Sequence, residues 1–92
     1  RDIAIKILDT GETKYYDVKI QTPGRTRNFS IADTLRGIDT IDGFIFVIDN
    51  IAYVCDYNDV IKNLMAKLYY NQNYSLISVY NIQKIVKYKF EI

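Results

Sequence analysis

Five aspartates, Asp39, Asp42, Asp49, Asp56 and Asp59, crowd the middle of this 92-residue sequence. Carboxylates brought together supply hard oxygen ligands for Mg²⁺ or Ca²⁺, and a spaced pair can act as acid and base on a glycosidic bond. Asp56-Tyr57-Asn58-Asp59 opens like a calcium loop. Val60 and Ile61 then stand where another oxygen ligand and the turn glycine belong. Simpler roles fit the same residues: Asp56 and Asp59 suit the start of a helix, and Asp39, Asp42 and Asp49 suit turns. A domain this small also has little scaffold for a sugar cleft. The chain is therefore expected to be non-enzymatic, with no catalytic residue, metal ligand or cofactor assigned.

Nucleophilic chemistry fares no better. The sequence holds no histidine, which removes every histidine base, triad and metal ligand. Its one cysteine, Cys55, cannot close an internal disulfide and ends an apolar stretch, so it reads as a small buried hydrophobe. That usage fits a reducing cytoplasm. The four glycines are scattered at 11, 24, 37 and 43 and form no phosphate-cradling loop.

Two constellations favour binding. Arg25 and Arg27 follow the Pro23-Gly24 turn, and Lys14, Lys19 and Arg36 are candidates to lie nearby, with Tyr15 and Phe29 as stacking surfaces. Cations interleaved with aromatic rings grip phosphates and unstacked bases, though the same residues also suit a solvated loop or an acidic protein partner. The nine tyrosines are the more unusual feature. Tyr15, Tyr57, Tyr70 and Tyr74 fall off the expected core stripes, with Tyr69 and Tyr80 at their rim. Tyrosine gives interfaces a large contact area with few torsions to freeze, and it is also a good strand residue. Tyr69, Tyr70 and Tyr74, at the end of the longest expected helix, form the best candidate patch.

The elements that must position these residues follow from periodicity. Residues 2–9 and 14–22 alternate as two strands of a hairpin around Gly11, with Ile3, Ile5 and Ile7 on one side of the first, and Tyr16, Val18 and Ile20 inward and Tyr15, Asp17, Lys19 and Gln21 outward in the second. Ser30 can cap a short helix near 30–36, closed by Gly37. Gly43 to Asp49 is apolar on both alternating sets, as in a central strand covered on two faces. Asp49-Asn50 suits a two-residue hairpin turn, returning through Ile51 to Cys55. Residues 57–70 carry Val60, Ile61, Leu64, Met65, Leu68 and Tyr69 at helical spacing, with Asp56 as N-cap. Tyr74 to Tyr80 and Ile85 to Ile92 read as strands, the second with Val86, Tyr88, Phe90 and Ile92 inward and Lys87, Lys89 and Glu91 outward. Asn81-Ile82-Gln83-Lys84 reads as a turn or a bulge between them.

The expected architecture is a single α+β domain over 1–92: a small antiparallel sheet of five to six strands, with one main helix (57–70) on a face. Composition agrees, at 49% hydrophobic and net charge +1, which is neither disordered nor strongly basic. No apolar run approaches the roughly 20 residues of a membrane-spanning helix. Rich in isoleucine and tyrosine and free of catalytic motifs, the chain resembles in style the stoichiometric inhibitors, such as immunity proteins and counter-defence proteins of phages and mobile elements. No residue role comes with that likeness. The leading expectation is a cytoplasmic protein-binding module that occludes a partner through Tyr69, Tyr70, Tyr74, Tyr15, Arg25 and Arg27. The alternative is a nucleic-acid-binding domain using Arg25, Arg27, Arg36, Lys14 and Lys19. A homodimer through an edge strand is a further expectation.

Overall fold

A computed structural model describes residues 3–6, 10–21, 28–31, 41–64 and 76–92, the first of these as backbone. Among the described residues seven strands and two helices follow in chain order: β1 (Ile3–Lys6), β2 (Thr13–Ile20), β3 (Asn28–Ser30), β4 (Gly43–Ile48), β5 (Ile51–Asp56), α1 (Tyr57–Lys62), β6 (Leu76–Ser78), α2 (Val79–Ile85) and β7 (Tyr88–Glu91). The fold is α+β. A five-stranded sheet runs β1-β2-β4-β5-β7, and β3 and β6 form a separate two-stranded pair. The main sheet is antiparallel except at β2–β4, which run parallel with Tyr16 opposite Gly43 and Ile20 opposite Val47.

Both expected hairpins form. Gly11 takes φ 70° between β1 and β2, where glycine has no steric penalty. Asp49 (φ 49°) and Asn50 (φ 65°) both take left-handed conformations between β4 and β5. Two positive values match the twist of paired strands, and these two residue types tolerate them best after glycine.

β4 is the spine of the domain, and its two alternating sets are covered differently. Phe44, Phe46 and Ile48 enter the main core with Phe29, Ile31, Ile41, Tyr53, Cys55, Val60, Ile77 and Ile82. Rings fill its middle: Phe44 stacks on Phe46 (centroids 5.7 Å apart), and Phe46 meets Phe29 at 5.0 Å. Ile45 joins a smaller cluster on the opposite face with Tyr16, Ala52 and Val54, flanked by Val18 and Val47. The expectation that β4 is buried from both sides holds.

Several expectations need correction. The main helix does not run through 57–70, because α1 stops at Lys62. The N–H of Asn63 donates back to the Val60 carbonyl at 3.0 Å, and its side-chain amide donates to the Asp59 carbonyl at 2.8 Å. A residue that supplies its own acceptors and donors at a helix end competes with continuation. Asp56 is the N-cap residue of α1 by position, but its side chain makes no capping bond. Its Oδ2 accepts instead from Lys87 Nζ at 3.0 Å.

The segment read as strand–turn is strand then helix. Ser78 ends β6, and its hydroxyl accepts the Asn81 N–H at 3.1 Å, which caps α2 over Val79–Ile85. Val79, Ile82, Ile85 and Val86 then recur at helical spacing, with Ile82 fully buried and the others packed against the core. Ser30 lies in β3, opposite Leu76, and not at a helix start. Residues 32–36 of that expected helix, the Pro23-Gly24 turn, Asp39 and the 65–70 part of the long helix lie outside the described residues.

Candidate functional site

Most of the residues expected to touch a partner, Arg25, Arg27, Arg36, Tyr69, Tyr70 and Tyr74, also lie outside the described residues. Three are described. Lys19 is tied down, its ammonium 3.1 Å from Asp17 Oδ2. Asp17, expected outward, is only 8% exposed. Lys14 stands in an open cleft of about 540 Å³ among Asp42, Asp56, Asp59 and Tyr57. Tyr15 is half-buried, and its backbone is clamped: its N–H donates to Asp42 Oδ2 at 2.8 Å, and its carbonyl accepts from the Asp42 N–H at 2.8 Å.

The cleft is where the central carboxylates meet, and two of them have structural work. Asp42 fastens β2 to the start of β4, and its carbonyl accepts the N–H of Tyr57, the first residue of α1. Asp56 holds Lys87, whose pKa is raised chiefly because that carboxylate accepts its hydrogen bond. Among the described residues no three Asp, Glu or Cys side chains converge as a metal site would need. Cys55 is fully buried as expected, and burial pushes its thiol pKa up to about 12, away from the thiolate that nucleophilic chemistry needs.

What the sheet does build is an apolar surface on the face opposite the main core. Strand register sets it out in two rows. Ile20, Val47, Ala52 and Phe90 stand side by side across β2, β4, β5 and β7. Val18, Ile45, Val54 and Tyr88 form the neighbouring row in the same order. Ile45, Ala52 and Val54 are buried and Val18 and Val47 half-buried, but three ends are open: Ile20 is 72% exposed, Phe90 51% and Tyr88 64%. Ile92, just past β7, is 73% exposed. The expectation that Ile20, Tyr88, Phe90 and Ile92 face inward is therefore wrong in one respect. Tyr88 and Phe90 alternate with Lys89 and Glu91 as predicted, but at β7 the apolar side of the sheet is open to solvent.

Lone exposed apolar residues such as Ile20 are ordinary, whereas Tyr88, Phe90 and Ile92, adjacent on one side of β7, form a patch of the kind proteins use for contact. The sequence held one signal of it. A strand apolar on both sides needs two covers; among the described residues α1 and α2 pack into the main core alone, while Tyr16, Ile45, Ala52 and Val54 on the second face are themselves buried, so that face opens only towards its ends. Tyr80 is a separate exposed ring, 70% open, with the Lys84 ammonium 5.2 Å from its centroid.

No protein-family model, curated protein or solved structure matches the chain.

Proposed function

We propose that this chain is a non-enzymatic protein-binding module, an inhibitor-type domain that acts in the cytoplasm by covering a partner's surface. The observation that carries the reading is the apolar sheet face whose two rows end in exposed Ile20, Phe90 and Tyr88. Aromatic rings beside aliphatic side chains on a hydrogen-bonded strand scaffold are preorganised for burial, since little backbone freedom is lost on contact. A single buried free thiol suits a reducing compartment. The nucleic-acid alternative draws less support from the described residues, because Lys19 is paired with Asp17 and Lys14 sits among carboxylates.

The test is retention of protein from source-cell lysate on the immobilised chain, with nuclease, by wild type and by Ile20→Ser/Phe90→Ser. These two side chains end one row and are exposed, so the variant is expected to stay folded. One protein retained in near-equal amount despite nuclease, and reduced at least about tenfold by the double substitution, is the expected result. Retention that vanishes with nuclease, or that the folded variant leaves unchanged, would overturn it.

A further inference from the structure

The edge of the same sheet carries a more specific inference, which rests on the protein-binding reading and names one partner. We propose that β7 pairs antiparallel with β7 of a second copy about a two-fold axis at Phe90, joining two five-stranded sheets into one of ten strands.

Backbone geometry supplies the first part of the case. Among the described strands β7 has one neighbour, β5, and stands at the sheet's end. The Ile92 N–H donates to the Asn50 carbonyl at 2.9 Å, in register with Phe90 opposite Ala52 and Tyr88 opposite Val54. Peptide groups alternate in an antiparallel ladder, so the even-numbered residues of β7 bond to β5. The N–H and C=O of Lys89 and Glu91 therefore point out of the sheet, and both residues are exposed. An open edge of this kind is a template for another strand.

Side-chain chemistry then selects a second copy and one register. With Phe90 on the axis, Lys89 of each copy faces Glu91 of the other, twice over. The outward peptide groups of those residues form the hydrogen-bonded pairs of the new ladder. Tyr88 of each copy faces Ile92 of the other, and the two Phe90 rings face each other. Charges are matched on one face of the joined strands and apolar groups on the other. Centring the axis on Lys89 instead places two lysines opposite each other, which is unfavourable. It also calls on the N–H of Lys87, which is already spent on the Val54 carbonyl at 2.8 Å. A closed two-fold pairing uses up the edge on both copies, so no open chain of subunits follows. The exposed Tyr88, Phe90 and Ile92 side chains of the two copies then meet on one face of the joined strands.

The test is sedimentation equilibrium of the full chain over a wide concentration range, for wild type, Lys89→Glu, Glu91→Lys and an equimolar mixture of the two variants. Wild type is expected to be a dimer. Each single variant sets like charges opposite each other at both pairs, so its dimer should weaken on the order of tenfold or more. The mixture should recover dimers, because the carboxylate introduced at position 89 of one variant then meets the ammonium introduced at position 91 of the other. Unchanged circular dichroism of the single variants keeps misfolding out of the result. A wild type that stays monomeric to several hundred micromolar, or a mixture that fails to re-form dimers, would overturn the pairing. Neither outcome touches the apolar face, because the swapped side chains lie on the other side of β7. Lysate retention that depends on Ile20 and Phe90 would then leave the protein-binding reading standing without the dimer.

Discussion

At the scale of single residues, the tightest position is Gly43. It lies between β2 and β5, opposite Tyr16 on one side and Asp56 on the other. A Cβ built there would collide with the Cys55 carbonyl and come within 2.9 Å of the Tyr16 ring. Backbone cannot yield as a flexible side chain does, so the strands would have to part. Gly43→Ala is expected to cost about 2–3 kcal/mol, read as a lower urea midpoint with an unchanged slope. A loss below about 0.5 kcal/mol would mean that β4 can shift without disturbing its neighbours. Residue type and spacing revealed much at this scale. Gly11, Asp49 and Asn50 take the positive φ values that their chemistry suggested, and Cys55 is buried. Asp42 is the counterexample: its role as a clamp depends on Tyr15, 27 positions away in sequence, and no local pattern encodes that partnership.

Among the elements, α2 shows how a cap can override strand-like content. Val79, Ile82 and Ile85 are β-branched residues that favour strands, yet Ser78 meets the first turn and Ile82 is fully buried. Ser78→Ala should destabilise the protein by about 1 kcal/mol and speed amide exchange first in 79–82. Slow exchange retained there would shift the weight from the cap to the packing of Ile82. The difference between β4 and β7 is also a matter of elements. Alternation in sequence reports which residues share a face, but not whether anything lies over that face. Tyr88 and Phe90 alternate as faithfully as Phe44 and Phe46, but they lie on the opposite face and at the sheet's edge, which alternation alone does not report. The end of α1 at Lys62 was hidden for a related reason: the apolar stripe continues to Leu64, while Asn63 has already turned the backbone.

For the whole molecule, the titrating groups with resolved shifts among the described residues all move the same way. Burial raises the pKa of Cys55 from 9.0 to about 12 and raises that of Tyr16 above 10.0, and the Asp56 hydrogen bond raises that of Lys87 above 10.5. Each group holds its proton more firmly folded than unfolded. Their contribution is complete below the unfolded values and lost as pH climbs towards the folded ones. Stability should therefore be flat from neutral pH to about 9 and decline between about 9 and 12, seen as a falling urea midpoint. In Cys55→Ala the decline should begin nearer pH 10, where the tyrosine takes over. A decline that starts at the same pH in both proteins would remove the thiol from this account. The α+β class and the two hairpins were legible at this scale, because each hairpin is closed by its own turn. The parallel joint between β2 and β4 was not, since it is decided by which distant surfaces bury each other best.

That parallel joint has a consequence in time. β1–β2 and β4–β5 can each zip from a short turn, on the order of microseconds. Bringing β4 beside β2 requires the chain between Gln21 and Asp42 to close a loop first, and its entropy is lost before any contact is gained. The two hairpins are thus early and nearly independent, and their docking waits on that closure. Until it happens, Phe44, Phe46 and both edges of each hairpin stand open together. Nascent chains of this protein pass through their most aggregation-prone moment with every hairpin already correct.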